Sequence, residues 1–234
     1  MLLMKKPSDL KIPFIWEERR PIMLDHFLYV PEHYDRHPAW SAIPWEDPSI
    51  FGSSRPVFLE YCSGNGQWIC ERAKKHPEMN WVALELRFDR ARKIWLRMYR
   101  DHLPNLFIMC GEARILTRYY IPKKSLSKVF VNFPDPWPKL RHAKHRLIQI
   151  SFLKEMGKAM LPQAEAHFVT DDAVYAAQML RELRNSPEWI PKLADPHYVL
   201  NPPDYGDSFF SDLWKKKGHN IYFIPFINNK FTLR

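Results

Sequence analysis

The chain has 234 residues, 46% hydrophobic and 15% aromatic, enough for a sizeable core and too apolar for a disordered polymer. Its net charge of +9 calls for a polyanionic partner, nucleic acid or an acidic membrane surface. No apolar stretch is long enough to span a bilayer, the N-terminus M-L-L-M-K-K-P-S-D lacks a secretory core, and Cys62, Cys70 and Cys110 show no C-x-x-C spacing. They read as reduced thiols of a cytoplasmic protein, with no disulfide framework and no metal site.

Residues 1 to about 55 are rich in proline and aromatics, with Trp16, Phe27, Tyr29, Tyr34, Trp40 and Trp45 following neither a helical nor a strand period. They read as an extended arm, either packed over a domain spanning 56–234 or reaching a partner. From Pro56 the pattern alternates. V-F-L-E-Y (57–61) predicts a strand, Ser63 with G-N-G a turn, and 67–75 a helix ending at His76-Pro77. W-V-A-L-E-L (81–86) predicts a second strand. Phe88, Ala91, Trp95, Met98 and Tyr99 then recur at helical spacing, and the opposite face carries Arg87, Arg90, Arg92, Lys93, Arg97 and Arg100, either solvated or facing RNA.

L-F-I-M-C (106–110) predicts a third strand, 112–120 a short helix and K-V-F-V-N-F (128–133) a fourth strand. A helix is expected from about Leu147 to Leu161, a fifth strand at A-H-F-V-T (166–170), a helix from Asp171-Asp172 to about Arg184, and a closing strand or hairpin at 220–227. Such alternation specifies an α/β domain: a mostly parallel twisted sheet with helices on both faces and a C-terminal antiparallel strand or hairpin.

The stretch V-F-V-N-F-P-D-P-W-P-K-L-R-H-A-K-H-R (129–146) concentrates the chemistry. Pro134, Pro136 and Pro138 forbid helix or sheet, so Asp135 and Trp137 sit in a stiff turn at a strand's end. Lys139, Arg141, His142, Lys144, His145 and Arg146 follow with no acid among them. A carboxylate and a flat ring before a basic run suit a base-recognising site beside a phosphate track. Trp137 is either a stacking platform or a ring buried beside the prolines. His142 and His145 read as hydrogen-bonding or RNA-facing rather than as a metal pair. Lys215, Lys216 and Lys217 are open between RNA contact and solvation.

In parallel sheets ligands sit beyond the carboxyl ends of the strands. Four acids fall there: Glu60, Glu85, Glu112 and Asp135. Gly64 and Gly66 allow close approach of a ligand to the backbone, and an acid ending the second strand accepts ribose hydroxyls. Ile69 stands where a dinucleotide fingerprint has its third glycine, and an acid ending the first strand repels a pyrophosphate. That acid suits a sulfonium, so S-adenosylmethionine is favoured over NAD.

E-Y-C-S-G-N-G-Q (60–67), Glu85, G-E-A (111–113), N-F-P-D-P-W-P-K-L-R-H-A-K-H-R (132–146) and T-D (170–171) together resemble the bacterial tRNA (guanine-N7-)-methyltransferases, in order over about residues 56–185 and more loosely beyond. The resemblance implies a Rossmann-like class I methyltransferase fold that methylates a guanosine of the tRNA variable loop. It implies cofactor contacts from Glu60, Glu85, Glu112 with Ala113, and Asp135. It implies substrate contacts from Lys139, Asp171 and the segment at Ser208, and RNA contacts from Arg141, His142, Lys144, His145 and Arg146. Asp135 is the expected catalytic residue. The sequence departs from the family pattern at Cys62 (for glycine), Glu112 (for Asp), Leu140 and His145 (for basic residues) and Ser208–Ser211, where the T-x-x-E glutamate is missing. Two rival readings remain: methylation of an exocyclic amine, since Asp135-Pro136-Trp137 approaches the acid-Pro-Pro-aromatic pattern of those enzymes, and a non-catalytic RNA binder with a decayed cofactor site.

Overall fold

The computed structural model describes residues 21–32, 34–203 and 218–229, and its contacts divide into two units, one up to Pro122 and one from Lys123 onward. The first unit carries strands β1 (Ile22–Leu24), β2 (Phe27–Tyr29), β3 (Val57–Tyr61), β4 (Asn80–Glu85) and β5 (Leu106–Cys110), with helices α1 (Gln67–Lys75), α2 (Phe88–Arg100) and α3 (Ala113–Tyr119). Every residue of β4 and β5 is buried, so both read in sequence as near-continuous apolar runs rather than as alternation. β3, β4, β5 and β2 run parallel, with Glu60 opposite Ala83 and Glu85 opposite Cys110, and β1 closes antiparallel on β2. Glu60 is next to last in β3 and Glu85 is last in β4, on neighbouring strands whose backbones lie about 4.8 Å apart, and Glu112 follows the next strand.

The buried stripe of α2 is Ala91, Ile94, Trp95 and Met98, the i, i+3, i+4, i+7 set of an amphipathic helix. Tyr99, expected in that stripe, is exposed. β1 and β2 were not anticipated, because three-residue strands are too short to display a period of two.

The second unit contains β6 (Leu126–Asn132), a 3-10 helix (Leu140–His145), α4 (Ile150–Ala159), β7 (Met160–Thr170), α5 (Ala173–Arg184), β8 (Trp189–Pro191), β9 (Val199–Leu200) and β10 (Tyr222–Asn228). β6 and β7 are parallel. β10 is the expected closing strand, antiparallel to β7 from Tyr222 opposite Thr170 to Ile227 opposite Glu165, with β8 and β9 also pairing on it. β7 starts six residues before the sequence expectation and α4 is shorter at both ends. The early part of β7 is irregular: Leu161, Pro162 and Gln163 are exposed, Gln163 has φ +63°, and the register with β6 jumps between Leu126 and Lys128. Such a bulge leaves no period to read.

On β6 and β7, Lys128 and His167 both contact the Glu165 carboxylate at 3.1 Å, and Lys192 pairs with its other oxygen. Burial raises the Glu165 pKa, but the hydrogen bonds from Lys192 and Lys128 outweigh it and hold the group down to about 2. Burial and the nearby Lys128 charge push His167 down to about 4.

Candidate active site

The turn after β3 is built on left-handed backbone. Cys62 (φ +62°), Gly64 (φ +56°) and Gly66 (φ +75°) alternate with ordinary residues, so the chain reverses tightly before α1. Ser63 ties the turn to both strands: its hydroxyl donates to the Glu60 carbonyl at 3.0 Å and its N–H to the Leu84 carbonyl at 3.1 Å. A Cβ on Gly66 would lie 2.7 Å from Ile94 Cγ1, so the space beside this glycine is filled by α2. The side of Gly66 that faces α2 is thus closed, and its N–H donates to the Ser63 carbonyl at 2.9 Å. Gly64 remains the turn's exchange point, donating its N–H to Glu85 Oε2 at 2.8 Å.

Glu85 is buried, and its other oxygen accepts the Arg87 N–H at 3.0 Å. Burial raises its pKa, while the two backbone N–H donors and the Arg90 charge work the other way. Each carboxylate oxygen has two acceptor sites, so one per oxygen is left for a hydroxyl donor. Glu60 is also buried. Asn65 Oδ1, in the same turn, is buried with no hydrogen-bond partner among the described residues. Two buried acids and an amide acceptor around one glycine turn fit a ligand bearing hydroxyls and positive charge, as S-adenosylmethionine does.

Glu112, one of the acids for which the resemblance implies a cofactor contact, directly precedes α3. It is the N-cap of α3, with Oε2 accepting the Ile115 N–H at 2.9 Å and Oε1 lying 3.5 Å from Arg114 Nη1. Ala113 opens that helix. Burial holds the Cys70 thiol up to about 12 and raises the Cys110 thiol as well.

In the second unit, β6 ends at Asn132 and Phe133 turns left-handed (φ +47°) with its N–H on the Val169 carbonyl at 2.9 Å. Pro134 is buried and Asp135 exposed, its Oδ1 accepting the Trp137 N–H at 3.0 Å, while Trp137 itself sits at φ +42°. A left-handed non-glycine residue costs about 1–2 kcal/mol, so the surroundings must hold it there.

In the 3-10 helix, side chains three apart eclipse one another. His142 and His145 accordingly share a ridge that meets the Trp137 ring, at centroid distances of 5.8 and 5.2 Å. Arg141 and Lys144 share another ridge and are exposed, as is Lys139. Arg141 Nε donates to His142 Nε2 at 3.2 Å.

Arg146 departs from this exposed track. It is 3% exposed, its Nε donates to the Pro136 carbonyl at 2.6 Å, its Nη2 lies 3.4 Å from the Trp137 carbonyl, its Nη1 donates to Gln178 Oε1, and its guanidinium covers the Tyr175 ring at 5.1 Å. Sequence reasoning missed Gln178 and Tyr175. The available signal was a polar Gln178 three residues after Tyr175 in an otherwise apolar stripe of α5.

Of the two acids after β7, Asp172 caps α5, accepting the Tyr175 N–H at 2.7 Å. Asp171 stays off the cap, is raised in pKa by burial, and has His219 Nδ1 3.8 Å from Oδ2. His219 was also unforeseen. Ser208 and Lys215–Lys217 lie outside the described residues. Among the described residues, no group of three or more His, Cys, Asp or Glu could hold a metal, and no helix is long and apolar enough to cross a membrane.

A family model described as "Putative methyltransferase" matches residues 54–224. A tRNA (guanine-N(7)-)-methyltransferase of Chlamydia abortus is 43% identical over 222 residues, covering 95% of this chain and 97% of its own length. This chain belongs to the tRNA (guanine-N7-)-methyltransferase family. A family member from Rubrobacter xylanophilus is 33% identical over 176 residues, covering 75% of this chain and 78% of its own. Among solved structures, TrmN from Thermus thermophilus aligns with a TM-score of 0.54 at 18% identity, covering 74% of this chain and 45% of that one. The antibiotic-resistance methyltransferase Kmr aligns at 0.52 and 16% identity, covering 76% and 88%. At these identities the likeness is one of fold: the Rossmann-like class I methyltransferase fold expected from the sequence.

Against the family pattern, the Cys62 departure acquires a physical meaning. The position has a left-handed φ of +62°, the region that favours glycine, and this chain holds it with a side chain in place.

Proposed function

We propose that this protein transfers the methyl group of S-adenosylmethionine to the N7 nitrogen of a guanosine in the tRNA variable loop, working in the cytoplasm. The observation that carries the reading is 43% identity to a tRNA (guanine-N(7)-)-methyltransferase over nearly the full length of both chains. The donor set is consistent with it.

S-adenosylmethionine, when bound, supplies an electrophilic methyl on a positively charged sulfur. Glu85 holds the ribose hydroxyls through the acceptor sites its two backbone bonds leave open, Glu60 offsets the positive end of the cofactor, and Gly64 keeps the turn close to it. The chain need not remove a proton from the nucleophile, because guanine N7 carries a lone pair and no hydrogen. What the residues must supply is position and charge compensation for a base that becomes cationic. Asp135 orients the guanine and offsets that charge. Asp171 accepts from the guanine ring and amino N–H groups, a task that its freedom from the α5 cap allows. Lys139 takes a phosphate or carbonyl oxygen, the Arg141–Lys144 ridge takes phosphates of the polymer, and His142 and His145 back the Trp137 ring beside it.

The test is transfer of labelled methyl groups to bulk tRNA, followed by nucleoside analysis. Labelled 7-methylguanosine, with chain cleavage by borohydride and aniline at that site, is the expected result. Label on an exocyclic amine would move the reaction to a different atom. No transfer, together with no heat on titration with S-adenosylmethionine, would leave an RNA-binding protein.

A further inference from the structure

Three prolines leave the turn at Pro134–Pro138 short of backbone donors, since none of them has an N–H. Its carbonyls must find partners elsewhere if they are buried. Arg146 supplies them, reaching the Pro136 carbonyl at 2.6 Å and the Trp137 carbonyl at 3.4 Å from one guanidinium. The same group is pinned from the other side by Gln178 Oε1 and by the Tyr175 ring, both on α5. Further bonds steady the same place: the Tyr175 hydroxyl accepts the Ile148 N–H at 3.1 Å, and Gln178 Nε2 reaches the Ile148 carbonyl at 3.4 Å.

The two carbonyls belong to the residues directly after Asp135. The third contact inside the turn is the Asp135 carboxylate itself, closed on the Trp137 N–H. α5, in turn, starts directly after Asp171 and Asp172. The guanidinium thus joins the turn carrying Asp135 to the helix that follows Asp171.

We infer that Arg146 is a positioning residue, not a phosphate contact: it locks the Asp135–Trp137 turn onto α5 and so fixes Asp135 and Asp171 relative to one another. This rests on the methyl-transfer reading above. Lysine cannot replace it, because an ammonium lacks the planar fork that reaches two carbonyls and an amide while stacking on a ring. A misplacement of about 1 Å at a reacting centre can cost on the order of a hundredfold in rate.

The test compares Arg146→Ala, Arg146→Lys and Gln178→Leu with Arg141→Ala. Turnover at saturating tRNA, the Michaelis constants and the salt dependence of tRNA binding are measured for each, with thermal melting to show folding. Arg146→Ala and Arg146→Lys should lose roughly tenfold to a hundredfold in kcat, with Gln178→Leu losing less. Their plots of log Kd against log salt should keep the wild-type slope. Arg141→Ala should lower that slope by about one, the mark of a lost phosphate contact. The inference is overturned if Arg146→Ala lowers the slope as Arg141→Ala does, or if folded Arg146→Lys and Gln178→Leu turn over like wild type. Should Arg146→Ala fail to fold, those two variants decide. If wild type transfers no methyl group, the functional reading has failed, and Arg146 is judged by the salt slope alone.

Discussion

The Glu85 carboxylate accepts the Gly64 N–H at 2.8 Å across 21 residues of sequence, so the acid ending β4 is also the fastener of the turn leaving β3. One side chain therefore fastens the turn and, in the proposed function, offers its remaining acceptor sites to the cofactor. Glu85→Gln tests both roles. A side-chain amide has one oxygen, so its NH2 must face either the Gly64 or the Arg87 N–H, leaving a buried donor unmatched at a cost of about 1–3 kcal/mol. Melting temperature should fall without ligand, and the upward shift on adding S-adenosylmethionine should shrink. A variant with an unchanged melt and an unchanged ligand shift would remove Glu85 from both roles.

Cys62 carries a side chain at φ +62°. Left-handed backbone costs a non-glycine residue about 1–2 kcal/mol, part of which glycine gives back through the greater freedom of its unfolded chain. Cys62→Gly should therefore stabilise the protein by about 0.5–1 kcal/mol, read from the denaturation midpoint. A destabilised variant would mean that contacts of the thiol outweigh the backbone strain.

Asp135 is exposed, and its bond to the Trp137 N–H lies within the turn. Asp135→Ala should stay folded and bind tRNA yet lose about a hundredfold or more in turnover. Asp135→Asn retains an acceptor for the Trp137 N–H but removes the charge. If charge compensation is the larger part of the role, the asparagine variant should be impaired nearly as much as the alanine. Wild-type turnover in either would take Asp135 out of the mechanism.

His167 gives the protein an acid-side weakness. The imidazole is pushed down to about 4 from 6.5, first by burial and then by the Lys128 charge, against the pull of Glu165. Between those two values the unfolded chain takes up a proton that the folded chain refuses, so stability falls as pH drops through that window. Glu165 behaves in the same direction lower down: held to about 2, it contributes stability above its unfolded value of 4.5 that is lost as pH falls toward 2. Melting temperatures measured from pH 7 to pH 4 should decline, and His167→Gln should flatten the decline above pH 4.5. An equally steep curve in that variant would assign the loss to other groups.

The sequence by itself determined the alternation of strands and helices, the acids at the ends of β3 and β4, a turn between β3 and α1, and the rigid turn at Asp135 with its basic continuation. Each of these is written in neighbouring residues: apolar runs for buried parallel strands, glycines for tight reversal, prolines for stiffness. Only the tertiary structure decided which polar group faces inward. Arg146 ends a basic run like any exposed cation, yet its partner Gln178 is 32 residues away and buries it. Glu112 looks like another acid at a strand's end, and the fold gives one of its oxygens to the cap of helix α3. Gly66 looks like any turn glycine, and the fold fills the space where its Cβ would stand with Ile94, 28 positions further on in the numbering. Local pattern reports what a residue can do, and the desolvation and hydrogen bonding that choose among those options come from chain segments that meet only in the fold.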